Sequence, residues 1–321
     1  MIKLRSRLWA RKAGLAAWMA CTAALVVACG GGVKQAERFV PGRVLVFGDE
    51  TSLLLPDGRR WGINGLDAST GRLDCQLEPT WVQSVAADYG LVFEACNTGS
   101  PPQEPRALMF ATVQARVADV SDQLAALNSV SNVRGSDLVL VMAGNNDVWE
   151  LYGQYPIRGE SVLLNDIRNR AEQLAALINN MVARGARVVV VNLPDLGLSP
   201  DALEQKALYA DSGFDRAALI TRLTLAFNER LGTKLLLDGR YIGLVQLDER
   251  SQAIGRSPGS YGFADITSAA CRVALPACTT STLQEGAGSG SFLWADGRHL
   301  SSGGQSQIAS LALARTRGNP F

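Results

Sequence analysis

The sequence predicts an α/β fold: a three-layer α/β/α sandwich around a mainly parallel central sheet, formed by one domain. Three observations lead there. Short apolar runs rich in β-branched residues recur along the chain, the clearest being Arg187-Val188-Val189-Val190-Val191. Longer stretches with helical periodicity lie between them. The strand-like runs are continuously apolar instead of alternating, as expected of strands covered on both faces.

Taken in order, Arg43 to Phe47 reads as a first buried strand ending at Gly48. Trp81 to Tyr89 is helical and stops at Gly90, and Leu91 to Ala95 is expected as a second strand. Ala107 to Val130 is expected as one long amphipathic helix, followed by a third strand over Asp137 to Ala143. Leu164 to Arg184 is helical and closed by Gly185; the valine run from Arg187 is the fourth strand. Phe214 to Leu231 reads as helix, Tyr241 to Leu247 as strand, and Gly304 to Arg315 as the closing helix. Gly286 to Ser291 is expected to be a flexible loop at the mouth of the site.

The first 28 residues differ in character from the rest. Lys3, Arg5, Arg7, Arg11 and Lys12 precede an uncharged apolar run from Ala13 to Ala28, the layout of an export signal. That run is shorter than the ~20 residues that span a bilayer comfortably. It ends Leu25-Val26-Val27-Ala28-Cys29-Gly30, which resembles the bacterial lipoprotein box, and the resemblance implies a lipid attached to Cys29. Uncleaved anchoring or ordinary cleavage after a small residue are the alternatives. The expected organisation is therefore a signal peptide over 1–28, a tether over 29–42 containing Gly30-Gly31-Gly32, and a single domain over 43–321. No Asp follows Cys29, which favours the outer over the inner membrane.

Removing that leader takes five cations and no acid, leaving 26 Lys plus Arg against 30 Asp plus Glu, a net charge of −4. With no basic patch or aromatic-basic interleaving, nucleic acid is an unexpected partner. Cys75, Cys96, Cys271 and Cys278 remain in the exported part, an even number that suggests two disulfides. Of three connectivities the sequence-local one, Cys75–Cys96 with Cys271–Cys278, is preferred. One histidine and no Cys-x-x-Cys spacing make a metal site a weak competitor, and no cofactor is implied.

In parallel sheets chemistry collects at the carboxyl ends of the strands. The segments leaving those ends are Gly48-Asp49-Glu50, Asn97-Thr98-Gly99, Gly144-Asn145-Asn146-Asp147 and Asn192-Leu193-Pro194-Asp195. Near the C-terminus stands Asp296-Gly297-Arg298-His299, holding the only histidine of the chain. Imidazole is the one side chain that titrates unperturbed near neutrality, and an Asp three residues earlier can fix its tautomer.

This ordered set resembles the SGNH/GDSL hydrolases over essentially the whole exported chain. Val44 to Asp49 is similar to the family's first block, Asn97-Thr98-Gly99 to the second, Gly144-Asn145-Asn146-Asp147 to the third and Asp296 to His299 to the fifth. The Val191 to Gly197 segment also looks like the family's strand-four region. The resemblance implies a flavodoxin-like fold, His299 as base, Asp296 as its orienter, and the Gly99 N–H and Asn146 amide as oxyanion donors. Ordinary turn and cap chemistry would also explain Gly99, Asn146 and an Asp147 that caps the following helix.

The departure is at position 50, where Glu50 stands in place of the family's serine. A carboxylate is a poor nucleophile toward esters. Ser52 and Thr51 supply hydroxyls nearby, but on a helical backbone they turn away from position 50 by about 200° and 100°. Glu50 could pair with His299 and leave a binding site without hydrolysis. It could act as a general base on water, with His299 as the acid. Or it could be a spectator to Ser52 or Thr51 placed by an unusual turn.

The expected function is a lipid-anchored hydrolase of carboxylic esters in the cell envelope, facing the periplasm or the surface, with an ester-bearing lipid or glycan as substrate. The alternative is an impaired relative that binds an envelope ligand in the same cleft. Trp61, Trp81, Trp149, Trp294, Tyr152 and Tyr155 are candidates to line that cleft, Trp149 and Trp294 above all, although such aromatics more often complete packing.

Overall fold

A computed structural model of the chain describes residues 38–318. The expected leader, Cys29 and residues 29–37 of the expected tether lie outside the described residues. Among those described, no helix is long and apolar enough to cross a membrane.

The central sheet contains β1 (Arg43–Gly48), β2 (Ala107–Met109), β3 (Asp137–Met142), β4 (Arg187–Val191) and β5 (Ile242–Val245), in the spatial order β2-β1-β3-β4-β5. Every neighbouring pair is parallel, with Leu45 opposite Leu108 on one side and Val139 on the other. Because side chains alternate across a strand, Leu45, Phe47, Val139, Val141, Val188 and Val190 enter one core. Val44, Val46, Leu138, Leu140, Met142 and Val189 enter the other. Continuously apolar strands are thus buried on both sides, as the sequence predicts.

The first core is covered by α2 (Val117–Val130), α3 (Asn145–Tyr152), α4 (Glu160–Ala183), α5 (Pro200–Leu208) and α6 (Arg216–Lys234). The second lies under α1 (Trp81–Asp88), α7 (Leu247–Arg256) and α8 (Ser302–Arg317). Local chemistry sets several helix starts. Thr80 and Gln83 form a reciprocal capping box on α1, Ser199 caps α5 with Pro200 in its first turn, and Ser301 caps α8. A small parallel pair, β6 (Asp265–Ala269) and β7 (Phe292–Trp294), adjoins a third cluster containing Ile63, Ala270 and Ala295. Both disulfides have the sequence-local pairing, Cys75–Cys96 and Cys271–Cys278.

Two expectations need correction, and they share a cause. Leu91 to Ala95 is not a sheet strand: it contributes an isolated bridge from Phe93 to Ala107, then a 3₁₀ turn over Glu94–Cys96. The strand beside β1 is Ala107–Met109, which the sequence assigns to the start of a helix. Ala107-Leu108-Met109-Phe110-Ala111 has no polar residue to reveal its period, so helix and strand look alike there. The helix begins only after Arg116, whose N–H donates to the Asp119 carboxylate (2.8 Å).

Candidate active site

The spatial order reverses between β1 and β3, and ligands of such sheets bind where it does. Gly48 ends β1 with φ +122°, and a Cβ there would fall 1.8 Å from the Met142 carbonyl oxygen, so only glycine fits. Buried Gln123 of α2 clamps it, accepting from the Gly48 N–H (2.8 Å) and donating to its carbonyl (2.9 Å). The chain then turns instead of starting a helix, with the Ser52 N–H bonded to Asp49 O and the Leu53 N–H to Glu50 O. On the β3 side Gly144, at φ +124°, leads into α3, and its missing side chain leaves room for the Phe227 ring.

These turns bring Glu50, Asn146 and His299 together. Glu50 Oε1 lies 3.1 Å from His299 Nε2. Asn146 Nδ2 donates to both Glu50 oxygens (3.2 and 3.1 Å) and to the Ala115 carbonyl (3.0 Å). On the far side of the ring, Nδ1 faces the Asp296 carboxylate at 2.9 and 2.8 Å, and the Arg298 and His299 N–H groups hold Asp296 Oδ1. The spatial convergence expected of His299, Asp296 and Asn146 is present, with Glu50 at its centre.

The electrostatics follow from that sandwich. An ionised carboxylate only accepts hydrogen bonds, so a ring held between two of them donates from both nitrogens and is an imidazolium. Burial opposes the charge, but the hydrogen bonds to Asp296 and then Glu50 outweigh it and lift His299 to about 9. Burial pushes Glu50 up, yet the bonds from His299 and Asn146 bring it below the usual carboxylate range. Asp296 is likewise lowered, its burial overcome by His299. Fully buried Asp49 behaves oppositely: desolvation first, then the Glu50 charge, raises it to about 7.

The hydroxyls beside Glu50 point elsewhere. Ser52 is fully buried and its Oγ accepts the Trp81 indole N–H (3.1 Å). Thr51 Oγ1 accepts from Asn145 Nδ2 (3.2 Å), which also donates to Asp49 (3.1 Å). Neither hydroxyl is bonded to His299, so the unusual turn that would rescue one of them is not formed, and Ser52 falls out of the expected site.

Gly99 also falls outside. It is exposed, and a Cβ on it would meet only the Pro101 carbonyl. The backbone donor aimed at Glu50 is the N–H of Gln114, 2.6 Å from Oε2. The cause is the misplaced strand: with β2 at 107–109, the loop leaving its carboxyl end is 110–116, not 97–99. Gln114 has φ +58°, the left-handed backbone that favours glycine. A glycine there would have been a visible signal in the sequence; a glutamine hides it.

Other residues take supporting places. Asp147 does not cap its own helix. It accepts from the Val117 N–H at the start of α2 (2.9 Å) and pairs with Arg170 of α4 (3.0 Å), tying the segment that carries Asn146 to two helices. Trp294 is core, its indole bonded to Ile266 O (3.0 Å), and Trp81 is core too. Trp61 stands edge-on to His299 with ring centroids 6.5 Å apart. Arg298 lies 4.1 Å over the Trp149 ring while bonding Asp201. Ser289 of the glycine-rich segment is bonded to Glu78, and with Gly290 it lines a cavity of about 450 Å³ whose walls include none of Glu50, Asn146 and His299. Among the described residues no group of three or more His, Cys, Asp or Glu is placed to hold a metal.

With this geometry in view, comparisons with known proteins identify the family. The GDSL-like Lipase/Acylhydrolase model matches residues 70–312, a span that includes Asn146, Asp296 and His299 and begins after Glu50. No curated protein matches the chain. Solved structures with a similar path include the lipase Lip_vut3 from a goat rumen metagenome, at 14% identity and a TM-score of 0.48 over 86% of this chain and 98% of that one. The acetyl xylan esterase AlAXEase has 12% identity and a TM-score of 0.43, covering 84% of this chain and 98% of its own. Axe2, an acetylxylan esterase from Geobacillus stearothermophilus, has 15% identity and a TM-score of 0.41 over 88% and 97%. The family match spans well over half of the sequence, and the chain belongs to the GDSL-like lipase/acylhydrolase family of ester hydrolases.

Proposed function

We propose that the protein hydrolyses carboxylic esters by activating water directly, with Glu50 as general base and protonated His299 as general acid, and without an acyl-enzyme. The observation that carries this is the Glu50 carboxylate on His299 Nε2 at 3.1 Å, with both neighbouring hydroxyls bonded elsewhere. Glu50 accepts a proton from water as the water oxygen bonds to the carbonyl carbon. The charge that develops on the carbonyl oxygen is met by Asn146 Nδ2 and the Gln114 N–H; such a donor is typically worth ~3 kcal/mol. As the ester C–O bond breaks, His299 Nε2 gives its proton to the leaving oxygen. The proton on Glu50 then crosses to His299, restoring both groups and releasing acid and alcohol. Asp296 holds the ring through Nδ1 throughout. The setting we propose is the cell envelope, with a lipid on Cys29 and an ester-bearing lipid or glycan as substrate.

The pH profile separates this scheme from a serine mechanism. It requires ionised Glu50 and protonated His299, so turnover falls as pH rises through about 9. A serine–histidine pair needs a neutral ring and gains activity as the ring loses its proton. The test is a panel of short-chain nitrophenyl esters from pH 5 to 10. Glu50→Gln and His299→Ala should each lose at least about 100-fold, within the range of general acid–base catalysis, and a fluorophosphonate should leave the wild type unlabelled. Labelling at Ser52 or Thr51, or full activity in His299→Ala, removes the proposal.

One observation favours a second reading. The donors that an oxyanion needs, Asn146 Nδ2 and the Gln114 N–H, are already bonded to the Glu50 carboxylate. On that reading the protein binds an envelope ligand without turning it over. Wild type then shows no hydrolysis across the panel, whereas Glu50→Ser gains both hydrolysis and fluorophosphonate labelling.

A further inference from the structure

The catalytic groups occupy the carboxyl end of the sheet, and the opposite end has a surface character of its own. Val40 before β1, Val130 at the end of α2, and Leu236 and Leu237 between α6 and β5 are exposed at 72%, 79%, 70% and 55%. The parallel topology puts all four at the amino ends of the strands: Gly42 is bonded to Ser136 at the entry to β3, and Leu236 to Asn179 near the end of α4. Arg38, Arg134, Arg184, Arg240, Arg315 and Arg317 are exposed on the same loops and helix ends. The carboxylates there include Asp88, shared by Arg38 and Arg317, Asp238, held by Arg240, buried Asp137, held by Arg43, Glu104 at the entry to β2, and Glu172 of α4, held by Lys234 and Arg230 near the end of α6. Arg134, Arg184 and Arg315 have no carboxylate partner among the described residues. Exposed leucines among unneutralised arginines fit an anionic lipid surface, which takes apolar side chains between its headgroups and attracts basic ones.

We propose that this amino-end face docks on an anionic bilayer, so that the catalytic cleft faces away from the membrane and takes its substrate from the aqueous side. The inference rests on the lipid-anchor reading for its orientation. Arg38, where the described chain begins, is on this face, paired with Asp88 at the end of α1. Eight residues, 30–37, separate it from Cys29, a stretch that spans at most about 30 Å. A domain of about 280 residues is about 50 Å across by the usual size scaling. A lipid on Cys29 therefore brings the amino-end face within reach of the bilayer and keeps the catalytic end out of it. Together, anchor and basic-apolar face supply the two signals that stable membrane attachment takes. Of the two substrate classes proposed above, the orientation selects an ester on a glycan or other soluble carrier over a lipid of the supporting membrane.

The test uses the chain from Gly30 onward, which carries no lipid, sedimented with sucrose-loaded vesicles. Binding is expected to phosphatidylcholine vesicles containing one quarter phosphatidylglycerol, and should weaken at least tenfold with pure phosphatidylcholine or in 0.5 M salt. Leu236→Glu/Leu237→Glu should lose at least tenfold, and so should Arg134→Glu/Arg184→Glu, whose exposed positions leave the core untouched. Ile157→Glu/Leu208→Glu, on exposed residues at the catalytic end, should bind as wild type. Absence of wild-type binding, or loss in the Ile157/Leu208 variant with retention in the Leu236/Leu237 one, overturns the proposal. The anchor is read separately, from whether Cys29→Ala releases the full-length protein from the membrane fraction.

Discussion

His299 is the only imidazole in the chain, so its ring signals in an NMR titration report on the site alone. The ring titrates at about 9 instead of 6.5, a difference of about 2.5 units, or roughly 3 kcal/mol at 1.36 kcal/mol per unit. Both carboxylates contribute to it. Replacing Glu50 by Gln removes one charge while leaving an amide oxygen to accept the Gln114 N–H. Burial opposes the charge, so the two carboxylates together supply more than that net rise, and the midpoint in Glu50→Gln should fall by at least about 1 pH unit. The same shift governs stability. A folded-state value above the unfolded one means that the folded protein holds the extra proton between about pH 6.5 and 9. The contribution is therefore complete below about 6.5 and is lost as pH rises through about 9. Urea unfolding of wild type should show stability falling over that window, and Glu50→Gln should show a shallower and earlier fall. A wild-type midpoint near 6.5, or a midpoint unmoved by Glu50→Gln, refutes the two-carboxylate sandwich.

Two further outcomes check the surrounding geometry. Ser52→Ala should keep the wild-type kcat while losing about 1–3 kcal/mol of stability, because the buried Trp81 indole N–H loses its acceptor; a collapse of kcat with unchanged stability would reinstate Ser52 as a reacting group. Gly144→Ala should cost at least about 3 kcal/mol, combining a strained φ with a methyl 2.5 Å from the Phe227 ring, and thermal denaturation should drop by roughly 6 °C or more; an unchanged midpoint contradicts that packing.

Most of the fold was legible because a strand buried on both faces must be apolar throughout. Arg43–Gly48, Asp137–Met142 and Arg187–Val191 could hardly be read otherwise. Legibility failed at Ala107–Met109, three residues long and flanked by more apolar residues, where no period exists to be counted. The misplaced strand points to Gly99 for a backbone donor, whereas the N–H bonded to Glu50 is that of Gln114. His299, Asp296 and Asn146 were legible because each follows from spacing within one segment. Gln114 was not: backbone conformation places its N–H against Glu50, and its side-chain type says nothing of that amide. The direction of Ser52 was half legible. Its angular offset from Glu50 could be estimated, but its bond to Trp81 joins positions 29 residues apart and needs the three-dimensional fold.

Every side chain of β1 and β3 from Val44 to Phe47 and from Leu138 to Val141 is spent on one core or the other, which leaves none of them free for chemistry. The groups proposed to react hang instead from connectors that begin where the strands stop. A change at residue 50 therefore need not disturb the packing on which the scaffold stands. Chemistry and architecture are separable in this molecule, and the exchange of a hydroxyl for a carboxylate at that position is the kind of substitution such a division of labour permits.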